Sequence, residues 1–127
     1  EALRLVEASR RPNAGICIDP LHLVRSGGTT EQVAAIDARY FPYIQFSDGV
    51  LSPGEPDVAL SRRLGIGRRK LPGEGTVPLR ALMKALPRDV PLSIEFPLTQ
   101  TEGATPMPPL DWAKLTLERT REFLSGL

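Results

Sequence analysis

The chain has 127 residues, 41% of them hydrophobic, which is enough for one packed domain. Its formal charge of +1 gives no long-range field toward nucleic acid or an anionic membrane, so we expect neither as a partner. No apolar stretch reaches the roughly 18 residues that a membrane span needs, and we expect a cytoplasmic protein. The single cysteine, Cys17, cannot form an internal disulfide and is expected to be a small core residue.

The first half of the chain predicts two helices and two strands. Helical spacing of apolar residues covers 1–10, and a buried strand follows at about 15–19. Thr29-Thr30-Glu31-Gln32 is a capping box that predicts a helix ending near residue 40. A second strand covers 43–47 and ends at the turn signal Asp48-Gly49. The chain starts inside a helical pattern and without an initiator Met, so we expect further residues upstream.

The second half begins with a long irregular stretch. Residues 50–75 are rich in Pro, Gly and Arg, and connections of that length are usually functional. Thr76 is then predicted to cap a short helix with Pro78 in its first turn. A third strand is predicted at 91–96, followed by an irregular stretch at 97–110 and a last helix that Asp111 can cap.

The alternation of helices and strands predicts parallel βαβ units, and therefore an α/β fold. Three strands with two open edges make a poor independent domain, because unpaired edges favour association. We therefore expect that residues 1–127 are one part of a larger sheet. The rest would come from a missing N-terminal segment or from homo-oligomer contacts.

Polar side chains stand where each predicted strand ends: Asp19 and His22, then Gln45 and Asp48, then Glu95. Because strand ends converge in a barrel or a doubly wound sheet, these groups can share one site. Carboxylate, imidazole and amide oxygen are ligands for Mg²⁺, Mn²⁺, Co²⁺ or Zn²⁺. Each of the first four also has a simpler interpretation as a turn, capping or partly buried structural residue. Glu95 is harder to explain that way, because a carboxylate inside an apolar strand needs a partner.

Two basic, glycine-rich segments are candidates for binding anions or hydroxyl groups. In the segment 68–75, arginine side chains can hold a phosphate, a carboxylate or sugar hydroxyls, although a solvated basic turn is an equal alternative. The segment lacks the spacing of a phosphate-binding Walker loop. Arg25 and the glycines after it share this ambiguity, with a helix N-terminus behind them that favours anions.

Four motifs occur in the following order along the chain: Ile16-Cys-Ile-Asp19-Pro-Leu-His22-Leu-Val-Arg25-Ser-Gly-Gly28, Tyr43-Ile-Gln45-Phe-Ser-Asp48, Leu71-Pro-Gly-Glu-Gly75 and Leu92-Ser-Ile-Glu95. In that order they resemble the last three strands of the xylose isomerase-like TIM barrels, the sugar phosphate isomerase/epimerase superfamily. The resemblance implies a (β/α)8 barrel of about 250 residues, of which residues 1–127 form the C-terminal portion of a single domain.

That resemblance also implies a metal site. The family holds one divalent metal with a glutamate, an aspartate, a histidine and a glutamate from the fifth to the eighth strand. Asp19 and Glu95 match the sixth-strand and eighth-strand ligands, and Gln45 stands where the histidine is usual. An amide oxygen is a weaker donor than imidazole and disfavours zinc, so manganese, magnesium or cobalt is expected. The fifth-strand glutamate has no counterpart in this chain.

The remaining site residues follow from the same resemblance. His22 matches a histidine that faces the substrate, and Arg69 matches an arginine on substrate oxygens, with Arg68 nearly as good. Arg25, from its basic glycine-rich segment, is a further candidate for binding substrate. Glu95 and His22 are the candidate catalytic residues, and either Glu95 or the missing fifth-strand glutamate would move the proton. The implied reaction is isomerisation or epimerisation of a keto-sugar or related polyol, by proton transfer through a metal-stabilised enediolate.

Three alternatives remain open from the sequence. A dehydratase on the same scaffold would use the same metal site. A non-catalytic descendant that binds a sugar or a partner would explain the loss of the seventh-strand histidine. An endonuclease IV-like enzyme is disfavoured, because it would need several metals, more than one histidine and a basic surface.

Overall fold

The computed structural model describes residues 1–51, 69–96 and 107–127. Most of the stretch 50–75, all of 97–106 and the candidate Arg68 therefore lie outside the described residues. The described part also contains a 3-10 helix at Ala38–Tyr40. The helices and strands are, in chain order, α1 (Ala2–Ser9), α2 (Pro20–Arg25), α3 (Thr30–Ala34), β1 (Ile44–Phe46), β2 (Asp48–Gly49), β3 (Arg69–Lys70), α4 (Leu79–Ala85), β4 (Leu92–Ile94) and α5 (Pro109–Ser125).

Parallel pairing joins three segments in chain order. β1 pairs with β4 in register Ile44↔Leu92, and Ile18 forms an isolated parallel bridge with Ile44. The prediction of a full strand at 15–19 is wrong, because pairing stops where the Gln45 amide donates to the Ile18 carbonyl oxygen at 2.9 Å. Pro20 has no amide hydrogen to extend the ladder and begins α2 instead. The sheet nevertheless has the parallel, sequential order that the alternation predicted.

A second pairing was not predicted. β2 and β3 form a short antiparallel ribbon in which Asp48 pairs with Lys70 and Gly49 with Arg69. The Asp48-Gly49 pair, predicted as a turn, is therefore a buried strand. Sequence spacing does not show such long-range pairing across an intervening segment. The ribbon places Arg69 immediately beside the end of β1.

The helix caps were predicted correctly at one helix and wrongly at two. At α3 the Gln32 amide donates to Thr29 Oγ1 at 3.3 Å and the Thr29 amide donates to Gln32 Oε1 at 3.2 Å, which is the expected capping box. α3 ends at residue 34, earlier than predicted. Thr76 does not cap α4, because its hydroxyl accepts from the Leu51 amide at 2.9 Å. Asp111 lies in the first turn of α5 rather than at its cap, because the helix already starts at Pro109.

The hydrophobic core covers one face of the parallel sheet. Ile44 and Phe46 are fully buried there, and a half-buried Gln45 lies between them. This alternation also corrects the prediction for Cys17, which is exposed because its neighbours Ile16 and Ile18 take the core positions. The core consists of Ile16, Ile18, Val33, Phe41, Ile44, Leu82 and Leu86 in one cluster, and of Phe46, Leu79 and Phe123 in another.

The opposite sheet face carries polar side chains instead. Gln45 pairs in register with Ser93, and Glu95 follows two residues later on the same face. This face and the strand ends above it hold the candidate site. Among the described helices, none is long and apolar enough to cross a membrane.

Candidate functional site

Asp19 links the start of a helix to the centre of the site. Its Oδ1 accepts from the Leu21 amide at 2.9 Å and from the His22 amide at 3.2 Å, which caps α2. Its Oδ2 accepts from Arg69 Nη2 at 2.7 Å. The side chain is 7% exposed, so both carboxylate oxygens are largely shielded from solvent. The helix cap thereby fixes the direction of the second oxygen.

Arg69 is the cation around which the site is built. Its side chain is fully buried, and Nη2 lies 2.7 Å from Asp19 Oδ2 and 3.5 Å from Glu95 Oε1. Nη1 donates to Ser47 Oγ, and Ser47 itself is buried at the end of β1. A planar guanidinium with several fixed donors suits this multiple contact. Arg69 therefore joins residues that follow all three segments of the parallel pairing, namely the bridge residue Ile18, β1 and β4.

Glu95 stands directly after β4, where its amide donates to the Phe46 carbonyl oxygen at 3.0 Å. The two carboxylate oxygens differ in their surroundings. Oε1 faces Arg69, and Oε2 is buried without a hydrogen-bond partner within residues 1–51, 69–96 and 107–127. A buried carboxylate oxygen in that state is costly unless a proton or a cation is supplied.

His22 lies at the open side of this group. Its Nε2 is 3.9 Å from Asp19 Oδ2, which is an electrostatic contact and not a hydrogen bond. The ring is 47% exposed. The structure thus brings Asp19, His22, Arg69 and Glu95 close together, and their functional roles stay predictions.

The surroundings of two further predicted site residues, Gln45 and Arg25, differ from those of the four residues just described. Gln45 is half-buried on the same sheet face, and no described hydrogen bond or ion pair joins its side chain to Arg69 or the two carboxylates. Arg25 is fully buried in the last turn of α2, where it has interacting partners. It is therefore not the solvated basic turn that was one alternative. The proposed roles of both residues stay predictions.

Asp48 was predicted to be a strand-end site candidate or a turn residue, and the structure shows that it organises the loop after β3. Its Oδ2 accepts from the amides of Gly73 at 2.9 Å and Gly75 at 3.1 Å, and its Oδ1 accepts from the Gly49 amide at 2.7 Å. A side chain at Gly75 would collide with this carboxylate, and Gly73 has φ of +88°. The sequence feature that could have indicated this role of Asp48 is the spacing of the two glycines in the Leu71–Gly75 motif.

Tyr43 adds a further polar contact on the open sheet face. A hydrogen bond with the Cys17 thiol, and then the nearby charges of Cys17 and Glu95, raise the pKa of the Tyr43 hydroxyl above its usual value. Strand alternation places Tyr43 on the same face as Gln45. Cys17 is therefore a polar neighbour of this face and not a core residue, which periodicity alone could have indicated.

The oxygens of Asp19 and Glu95 fit a divalent cation in part. Both direct an oxygen at one cationic atom, and Glu95 Oε2 is a buried oxygen without a described partner. Hard carboxylate oxygens suit magnesium or manganese. No group of three His, Cys, Asp or Glu side chains lies close enough to hold a metal ion in the part of the chain that is described. A metal here would need further donors, such as the Gln45 amide or water.

We compared the chain with curated proteins, solved structures and protein families. The comparison with curated proteins gave no match. A xylose isomerase domain protein from Alicyclobacillus acidocaldarius is similar in structure, with a TM-score of 0.60 and 25% sequence identity. The match covers 97% of this chain but 41% of that protein, so the chain spans less than half of its structural neighbour.

The family comparison covers almost the whole chain. The model described as "Xylose isomerase-like TIM barrel" matches residues 1–123. It supports the expected (β/α)8 fold class, whereas the assignment to the last three units stays a prediction. Proteins of this superfamily are in general enzymes of the sugar isomerase and epimerase type. The chain therefore belongs to the xylose isomerase-like TIM-barrel family.

Proposed function

We propose that this chain carries the metal site of a divalent-metal-dependent isomerase or epimerase that acts on a keto-sugar or related polyol. The observation that supports the proposal is the convergence of Asp19 Oδ2 and Glu95 Oε1 on one cation, at 2.7 and 3.5 Å from Arg69 Nη2. His22 and Arg69 lie beside these oxygens and have the chemistry to bind substrate hydroxyl or carbonyl groups. Manganese, magnesium or cobalt fits the oxygen donors better than zinc.

The chemistry divides among these side chains. A divalent cation, when bound, would polarise a substrate carbonyl and its neighbouring hydroxyl. Asp19 and Glu95 would hold that cation, and Gln45 is the candidate third donor. Arg69 and the half-exposed ring of His22 would hydrogen-bond the substrate oxygens and orient them.

Glu95 is the residue of this chain that we assign to proton transfer. Its Oε2 accepts no hydrogen bond from the described residues, so no described donor competes for the proton that it would take from the carbon next to the carbonyl. Return of that proton to the neighbouring carbon, with the hydroxyl proton moved to the former carbonyl oxygen, isomerises the substrate. We assign to His22 the transfer of the hydroxyl proton to the former carbonyl oxygen.

The experiment measures proton exchange directly. We would incubate the protein with Mn²⁺ and a panel of keto-sugars in deuterated water, and follow loss of the hydrogen next to the carbonyl by NMR. Glu95→Gln should slow exchange by about 100-fold or more, the usual contribution of a general base. Glu118→Gln on the exposed side of α5 is the matched control and should leave the rate unchanged. Equal rates for wild type and Glu95→Gln would contradict the proposal.

One observation favours a non-catalytic sugar-binding descendant as the second candidate. Gln45 replaces the expected histidine, and a guanidinium already lies between the two carboxylates. Calorimetric binding of a keto-sugar in metal-free buffer, with no proton exchange on added Mn²⁺, would favour this second function. A dehydratase would instead show exchange together with loss of water.

We also propose that the protein acts in the cytoplasm. A separate proposal is that residues 1–127 form the C-terminal portion of one barrel domain, which a further polypeptide segment or a second copy completes. Within the described residues β4 pairs only with β1, so its other edge is available for a strand. The protein alone should therefore associate in sedimentation velocity experiments. A monodisperse monomer that unfolds cooperatively would contradict this proposal.

A further inference from the structure

The position of Arg69 coincides with the position that a bound cation would need. Nη2 contacts Asp19 Oδ2 at 2.7 Å and lies 3.5 Å from Glu95 Oε1. Asp19 has no second oxygen to offer, because Oδ1 is used by the Leu21 and His22 amides at the start of α2. A metal ion and the guanidinium would therefore meet at the same oxygen.

We propose that Arg69 is an internal cation that competes with the divalent metal for Asp19 and Glu95. Metal binding then moves the guanidinium off the two carboxylates, toward the side where a substrate's oxygens would bind. This inference rests on the proposed metal site. It adds that the Arg69 guanidinium neutralises Asp19 and Glu95 in the metal-free protein and thereby lowers the affinity for metal.

The burial of the site makes this competition strong. The side chains of Arg69 and Asp19 are 0% and 7% exposed, so charges there are poorly screened by water or salt. A divalent cation placed beside an undisplaced guanidinium would be repelled at close range in a medium of low dielectric constant. The same low dielectric constant explains why the two carboxylates need a cation when no metal is bound.

Other contacts hold Arg69 in place and set how easily it leaves. Nη1 donates to Ser47 Oγ, and the backbone of Arg69 pairs with Gly49 in the ribbon. Asp48 fixes the loop that follows the ribbon. The backbone is therefore anchored, and a bound metal would have to break the guanidinium contacts to move the side chain. Loss of the Ser47 hydroxyl should weaken the hold on the guanidinium without touching either carboxylate.

The test is a calorimetric titration of the full chain with Mn²⁺ alone. Arg69→Gln removes the competing charge and should bind Mn²⁺ at least 10-fold more tightly than wild type. Arg119→Gln removes one positive charge from an exposed position on α5 and should leave the affinity unchanged. This control separates local competition from the general effect of net charge.

A second variant covers the case in which Arg69→Gln does not fold, as judged by circular dichroism. Ser47→Ala should bind Mn²⁺ several-fold more tightly than wild type. Binding to Arg69→Gln but not to wild type would also support competition. Equal or weaker affinity in folded Arg69→Gln would overturn the inference and leave the proposed metal site intact. Absence of Mn²⁺ binding in every variant would overturn both.

Discussion

Asp48→Ala should destabilise the folded protein, because the Asp48 carboxylate holds the loop that follows the β2–β3 ribbon. Asp48 is 1% exposed and accepts from the Gly73 and Gly75 amides, both more than 20 residues away in sequence. A hydrogen bond to a charged group contributes about 1.5–3 kcal/mol. Both glycines are at least partly open to water, so the lower value applies to each. Oδ1 accepts a third bond from the Gly49 amide, so at the same value per bond alanine should lower the free energy of unfolding by about 4.5 kcal/mol.

The variant Asp48→Asn tests how much of this loss in the free energy of unfolding comes from each accepted hydrogen bond. The asparagine oxygen in the place of Oδ2 can still accept from both loop amides, whereas the NH₂ group in the place of Oδ1 cannot accept from the Gly49 amide. We expect a loss of about 1.5 kcal/mol, one third of the alanine effect. The measurement is urea unfolding followed by circular dichroism, with the midpoint shift converted by the common slope.

The control for both variants is Asp89→Ala, at an exposed position before β4, which should change stability by less than about 0.5 kcal/mol. If Asp48→Ala behaved like Asp89→Ala, the carboxylate would not hold the loop. If Asp48→Asn and Asp48→Ala lowered the free energy of unfolding equally, the number of accepted hydrogen bonds would not explain the size of the effect.

Asp19→Ala should destabilise the metal-free protein by about 3–5 kcal/mol, because it leaves the buried Arg69 charge without its closest carboxylate, and urea unfolding should show this loss. Thr29→Ala should cost about 1 kcal/mol in the same assay through loss of the α3 cap, whereas no change would refute the capping box. Tyr43 should ionise above the usual pH of about 10, measured by absorbance at 295 nm in a background lacking the other tyrosine. Neutral Tyr43 is favoured in the fold, so its contribution to stability is present below the free tyrosine pKa and is lost as the pH rises through the raised value. Cys17→Ala should lower that pKa, and an unchanged titration would contradict the thiol contact.

Much of the parallel sheet followed from periodicity. β1 and β4 were predicted because short apolar runs bounded by turn residues are typical of buried strands. The strand at 15–19 failed for a reason that the sequence contained, since Pro20 has no amide hydrogen for a ladder. The starts of α4 and α5 were misplaced because a proline defines each helix start more strongly than the hydroxyl or carboxylate nearby.

The proximity of Asp19, His22 and Glu95 was predictable from the sequence, but the contacts between these side chains were not. Asp19, His22 and Glu95 were selected because polar groups at strand ends converge in such folds. Which oxygen of Asp19 faces Arg69 depends on the capping of α2, a helix that apolar spacing did not predict. The roles of Ser47 and Asp48 depend on pairing between residues more than 20 positions apart, which local patterns do not encode.

The double role of Asp19 makes the geometry of the site a consequence of local folding. Because the amides of Leu21 and His22 hold Oδ1, the carboxylate plane is set by the first turn of α2. Its second oxygen can then face only the position that Arg69 Nη2 occupies. The same turn places the His22 ring 3.9 Å from that oxygen. A change in the backbone of this turn that broke these two hydrogen bonds would therefore misdirect Asp19 Oδ2 and move the His22 ring together, even with both side chains intact.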